Sequence, residues 1–199
     1  MTELLNDETK AFVFKNRGAL LAAPAALLAM FGKPSAFGVT IGLPVALGGE
    51  LIRCWAVGYS GVTTRENHVT ASELVSAGPY AHVRNPLYVG NFVTAAGFAL
   101  AFTGKNSFAQ KLLLIGASLG VMAGVYAIII PHEEAFLRSQ FGEEFDRYCE
   151  TVPPLLPLAE PAPDGAGVWK PEVIAQAESK TFGTFAAMLG ILALKALKS

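Results

Sequence analysis

The sequence predicts an all-α fold: a polytopic integral membrane bundle of about five transmembrane helices. Three observations predict it. Hydrophobic residues make up 52% of the 199 residues and charged residues only 16%, against about 25% charged in soluble domains. The mean hydropathy is +0.43. Five apolar runs recur along the chain, separated by tight turns or polar regions. We read residues 1–199 as a single membrane-embedded domain, with an N-terminal hairpin at 18–59, a core at 60–157, and a linker plus last helix at 158–199.

The first apolar run is Gly18–Phe31, preceded by a mixed helix-like stretch, Leu4–Arg17. A bilayer core of about 30 Å needs roughly 20 residues. This run reaches that length by borrowing Ala11–Phe14 while Lys15 and Arg17 snorkel. The second run is about Ser35–Tyr59, the third Leu87–Thr103, the fourth Lys111–Ile130 and the fifth Phe182–Leu197. Gly32-Lys33-Pro34-Ser35 and Thr103-Gly104-Lys105-Asn106 are turn signals that join hairpins. Two longer polar regions remain, Ser60–Pro86 and Pro131 to about Lys180. Within the latter, Phe136, Leu137, Phe141, Phe145 and Tyr148 fall at helical spacings among charged residues. That pattern predicts an amphipathic helix over Glu133–Tyr148, broken near Gly142. Val152-Pro153-Pro154-Leu155-Leu156-Pro157 predicts extended loop.

Charge and cysteine content exclude several functions. A net charge of −1 carries no nucleic-acid footprint. Cys54 and Cys149 read as free thiols, and no paired His/Cys spacing predicts a metal site. No glycine-rich dinucleotide fingerprint follows a strand. The acidic N-terminus, with Glu3, Asp7 and Glu8, does not read as a secretory signal. With the N-terminus inside, the cytoplasmic side holds Lys10, Lys15, Arg17, Arg65, Arg84, Arg138, Arg147, Lys170 and Lys180. The other side holds Lys33, Lys105, Lys111, Lys195 and Lys198. The excess favours that orientation and turns both polar regions to the cytoplasm.

Chemistry-bearing residues gather in two clusters. Gly78–Gly90 packs turn residues, Arg84, Asn85 and two tyrosines against the start of the third run. Pro86 suits a first helical turn and Asn85 a cap; the turn's amides and Arg84 can receive a carboxylate or phosphate. The competing reading is a helix start with Arg84 at lipid phosphates and Tyr88 in an interfacial belt. The second cluster is Pro131-His132-Glu133-Glu134. Pro131 is expected to end or kink the fourth span. The acids then either sit in a helix's first turn for its dipole or serve a site. One apolar hairpin carries both clusters to the same membrane face, which favours a site. Inside the second run, Glu50 and Arg53 share a helical face. They read equally as the wall of a substrate pocket or as a structural ion pair.

In order and spacing, four pieces resemble the isoprenylcysteine carboxyl methyltransferase and phospholipid methyltransferase superfamily. They are Leu74-Val75-Ser76-Ala77-Gly78-Pro79-Tyr80; Val83-Arg84-Asn85-Pro86-Leu87-Tyr88-Val89-Gly90; Glu133-Glu134; and Phe141-Gly142-Glu143-Glu144-Phe145 with Tyr148 and Val152-Pro153. The resemblance covers roughly residues 50–157. It implies an integral membrane enzyme that uses S-adenosylmethionine near the cytosolic face and takes a lipophilic methyl acceptor from the bilayer, among membrane lipids. By position, it implies that Leu74, Val75, Gly78 and Tyr80 line the cofactor. Arg84, Asn85 and Tyr88 would hold its polar end, and Glu133 with Glu134 would complete the pocket.

Three positions depart from the family pattern. Many members carry His where this chain has Asn85. Carboxyl methyltransferase members often carry an Arg where this chain has Ile128, Ile129 and Ile130, and a basic residue where it has Pro154. These departures weaken a prenylcysteine substrate and leave Arg53 as an alternative anion partner beside Glu133 in the catalytic set. Two other functions compete: an NADPH-dependent membrane sterol or steroid reductase, and a non-catalytic membrane interaction protein on the same scaffold.

Overall fold

The computed structural model describes residues 7–61, 73–163 and 165–198. Leu4–Asn6, the stretch 62–72 of the first polar region, and Arg65 of the charge count lie outside the described residues. The described chain is all helical. Its helices are α1 (Asp7–Phe31), α2 (Ala36–Ser60), α3 (Pro86–Thr103), α4 (Phe108–Phe141), α5 (Glu143–Thr151), α6 (Ile174–Ala177) and α7 (Ser179–Leu197). Two 3₁₀ turns, Gly78–Ala81 and Pro171–Val173, punctuate the polar regions. Five helices, α1 to α4 and α7, are long and apolar enough to cross a membrane. The span within α1 starts at Phe12, so it takes in the borrowed residues from Phe12 to Phe14 but not Ala11.

Of the two outcomes expected, an end or a kink of the fourth span, the end does not occur at Pro131. Helix α4 continues through it for 34 residues, a length of about 51 Å at 1.5 Å per residue, well beyond a bilayer core. Proline costs one backbone hydrogen bond, and surrounding structure in membrane proteins absorbs such losses. Pro24 and Pro44 lie inside α1 and α2 in the same way. Glu133 and Glu134 are therefore interior helical residues, not a first turn favoured by a dipole. The break near Gly142 does occur. Gly142 adopts φ +52°, between α4 and α5.

The chain divides into two compact units. The first comprises residues 1–50, 91–129 and 181–199. Its core is Leu28, Ala46, Phe98, Ala99, Ala101, Phe102, Leu114, Met188 and Leu192. Backbones approach closely here: a Cβ on Gly42 would collide with Gly97 O and Ala101, and one on Gly97 with Ala46. Small residues at such crossings let membrane helices pack without a hydrophobic drive. The two predicted turns also join, since Lys105 N–H donates to Lys33 O at 2.7 Å and Lys33 N–H to Asn106 Oδ1 at 2.7 Å.

The second unit comprises residues 51–90 and 130–180. The amphipathic pattern is buried there. Phe145 and Tyr148 of α5 pack with Leu74 and Val152, flanked by Leu137 and Phe141 of α4. The proline-rich segment then runs back antiparallel to the loop before α3 as a strap. Pro153 O and Pro154 O accept from the Arg84 and Asn85 amides at 2.9 and 3.2 Å. Leu158 N–H donates to His82 O, Ala162 N–H to Ala81 O, and the Ser76 and Ala77 amides both donate to Ala166 O. Lys170 N–H closes the strap on Gly58 O at 2.7 Å.

Candidate functional site

Every residue singled out at 53, 74–88 and 133–134 falls in the second unit. Arg84 sits just before α3, and its guanidinium forks onto Glu134 of α4. Nε donates to Oε1 at 2.9 Å and Nη2 to Oε2 at 3.2 Å. Its Nη1 reaches Val152 O at 2.5 Å and Cys149 O at 3.3 Å. Such a bidentate pair fixes geometry as well as charge. Asn85 Nδ2 donates to Pro154 O at 3.0 Å and to Glu134 Oε1 at 3.4 Å. One turn into α3, the Tyr88 hydroxyl donates to Glu133 Oε2 at 2.8 Å. The hairpin thus brings the two polar clusters into contact. The Arg84 and Asn85 amides, just ahead of the turn read from sequence as open to an anion, are spent on the strap, and the Tyr88 and Val89 amides of that turn donate to Asn85 O.

Gly78 has φ +61°, and a Cβ there would run into the Tyr59 ring. Only glycine takes that backbone conformation without strain, so Gly78 sets the 3₁₀ turn that presents Tyr80. The Tyr80 hydroxyl hydrogen-bonds the Ser60 side chain and lies in the fields of Glu133 and Arg53. Burial, opposed by the Ser60 bond and reinforced by the Glu133 charge, pushes this phenol up to about 12. Tyr80 O accepts from the Tyr148 hydroxyl at 2.7 Å. Burial raises the Tyr148 phenol too, and raises the Cys149 thiol. Both phenols stay neutral donors at physiological pH. Leu74 is buried in the α5 cluster, and Val75 lies against the strap at Gly167. Both cysteines are free thiols.

Arg53 has a partner that the sequence did not single out. Its Nη2 lies 2.8 Å from both carboxylate oxygens of Glu178, which is 1% exposed. The signal was present: a lone acid just ahead of the last apolar run, and a buried arginine that needs a counter-charge. Ser60 and Trp169 were also missed. The Trp169 indole lies over Gly58, where a Cβ would collide with it.

The fold is that of a polytopic helical membrane protein whose polar site joins a helix start, two adjacent glutamates and a strapped loop. A model of the phospholipid methyltransferase family matches residues 37–144. The chain belongs to that family. It is 34% identical over 116 residues to protein-S-isoprenylcysteine O-methyltransferase of Schizosaccharomyces pombe, covering 55% of this chain and 45% of that protein. It is 30% identical over 124 residues to a probable protein-S-isoprenylcysteine O-methyltransferase of Oryza sativa subsp. indica, covering 60% and 61%. It is also 37% identical over 87 residues to the nickel-cobalt-cadmium resistance protein NccN of Alcaligenes xylosoxydans xylosoxydans, covering 44% and 37%. The chain thus spans about half the length of these curated relatives. No solved structure matches it significantly. Among the described residues no group of three or more His, Cys, Asp or Glu gathers to hold a metal.

Proposed function

We propose that the chain transfers a methyl group from S-adenosylmethionine to a lipophilic acceptor at the cytosolic membrane face. The observation that carries this reading is the junction of Arg84, Asn85 and Tyr88 with Glu133 and Glu134. Family membership supports it.

The donor set of the second unit fits the cofactor by charge. Arg53 and Arg84 supply two positive charges; Glu133, Glu134 and Glu178 supply three negative ones. Two minus three leaves one negative charge. S-adenosylmethionine carries a sulfonium, an ammonium and a carboxylate, one net positive charge. NADPH carries several phosphate charges and would meet repulsion there.

When bound, the cofactor supplies an electrophilic methyl: an acceptor oxygen, nitrogen or sulfur bonds to that carbon as its bond to sulfur breaks. The chain's task is positioning and exclusion of water. Glu133, oriented by Tyr88, accepts hydrogen bonds from the cofactor's amine or ribose. Arg84 holds Glu134 in place. Leu74, Val75, Gly78 and Tyr80 supply the enclosing wall, and the strap holds that loop. Arg53 is paired with Glu178 within the fold, so it offers the site no free cation. That favours an amine, alcohol or thiol acceptor over a carboxylate. The bias of basic residues favours the cytosolic placement.

The test is methyl transfer in membranes from cells expressing the chain. Tritium from methyl-labelled S-adenosylmethionine is expected in organic-extractable product, and to fall to background in Glu133→Ala. Equal labelling with and without the chain would refute the activity.

A further inference from the structure

The first unit holds a partly open cavity of about 180 Å³. Its walls are apolar over most of their area, with Leu28, Phe98, Met122 and Phe185 among them. Polar side chains break that lining, among them Glu50 of α2, Asn91 of α3, and Ser118 and Tyr126 of α4. Glu50 is buried, and Asn91 Nδ2 donates to the Tyr126 hydroxyl at 2.8 Å. Ser118 is fully buried, and its Oγ has no hydrogen-bond partner among the described residues.

A buried hydroxyl without a partner is costly, and an acidic residue inside a membrane span is rare and marks function by default. A bundle that only needed packing would place alanine or leucine at both positions. An apolar cavity with a few convergent polar groups is the usual form of a small-molecule site. Size then limits the guest. A dry cavity of roughly 150 Å³ holds benzene; this one is partly open, so the end of a guest that lies inside it is about a single ring or a short branched chain. Charge limits it further, because a carboxylate guest beside Glu50 would be repelled.

We propose that this cavity binds a small apolar molecule, about one ring in size, that carries a hydrogen-bond donor such as an amine or alcohol and no carboxylate. Glu50 receives the donor and Ser118 supplies a second polar contact. Binding at this cavity stands whether or not the chain transfers methyl groups.

The test uses the full chain in phosphatidylcholine nanodiscs. Thermal unfolding is followed with 2-phenylethylamine, 2-phenylethanol, ethylbenzene or 3-phenylpropanoate. The amine and the alcohol are expected to raise the unfolding temperature, and 3-phenylpropanoate to leave it unchanged. Ser118→Leu fills the cavity and is expected to abolish both shifts; Met122→Trp serves where Ser118→Leu yields no folded sample. Glu50→Gln is expected to weaken the amine about tenfold, the scale of one charge-assisted bond, while the alcohol changes little. Equal shifts in the wild type and the filled variants would overturn the proposal. So would binding of 3-phenylpropanoate as strong as that of the amine. Equal stabilisation by all four compounds would also overturn it, because it would mark a void that any lipid tail can fill.

Discussion

The Tyr88 hydroxyl donates a 2.8 Å hydrogen bond to Glu133 while Arg84, four residues earlier, grips Glu134 through two nitrogens. Adjacent glutamates on one helix are thus held separately by the start of another. The two bonds differ in weight. Arg84 and Glu134 are both mostly buried, with side chains 11% and 18% exposed. Glu134→Ala leaves the guanidinium with only the Val152 and Cys149 carbonyls, and is expected to destabilise the protein by about 1–3 kcal/mol. Tyr88→Phe removes one neutral donor to a carboxylate and should cost less in stability. Denaturation in mixed micelles ranks the two; Tyr88→Phe as the more damaging would reverse these roles.

The Arg53–Glu178 pair joins residues 125 apart and is nearly solvent-free, at 10% and 1% side-chain exposure. Removing one member leaves the other charge buried. Arg53→Ala and Glu178→Ala should each destabilise by roughly 3–5 kcal/mol, and the double change Arg53→Met with Glu178→Leu should recover much of that. A double mutant as unstable as the sum of the singles would show that the two charges are not coupled.

The five spans were legible because each is an apolar run bounded by Gly, Pro or polar turns. The meeting of Arg84 and Tyr88 with Glu133 and Glu134 was legible because a hairpin returns the chain to its starting face. Pro131 misled because proline signals a helix end in water, whereas a long membrane helix carries it through. The strap was illegible for another reason. It is held by bonds such as Leu158 N–H to His82 O and Ala162 N–H to Ala81 O, and backbone groups leave no mark in side-chain identity. Glu178 was overlooked because Glu50, three residues from Arg53, offered a nearer counter-charge in sequence.

The strap has two glycine-dependent seats. Gly58→Ala would push a methyl into the Trp169 indole, and Gly78→Ala adds a clash with the Tyr59 ring to a φ of +61°. Limited proteolysis within 158–170 is expected to accelerate in Gly58→Ala. Trp169→Ala, which empties the space, should remove the penalty of the Gly58 change. Unaltered cleavage in Gly58→Ala would mean that the indole is not seated there.

Tyr80 is raised to about 12 by burial, with the Glu133 charge adding to it. The folded chain therefore holds this proton more tightly than the unfolded one, where tyrosine titrates near 10. The associated stability is fully present below about pH 10 and is lost as pH climbs from about 10 to 12. Tyr148 shifts in the same direction. Thermal stability should fall with pH across that window, and Tyr80→Phe should flatten the fall. An identical alkaline slope in Tyr80→Phe would place the titration elsewhere.

The most direct measurement is ligand stabilisation of the purified protein. S-adenosylmethionine, S-adenosylhomocysteine and NADPH are compared by thermal unfolding in detergent, since a ligand that binds only the folded state raises its stability. A methyltransferase site at Glu133 requires that the first two raise the unfolding temperature and that NADPH does not. It also requires that Glu133→Ala and Asn85→Ala abolish the response while His132→Ala keeps it. Stabilisation by NADPH alone, or an undiminished response in Glu133→Ala, would contradict it.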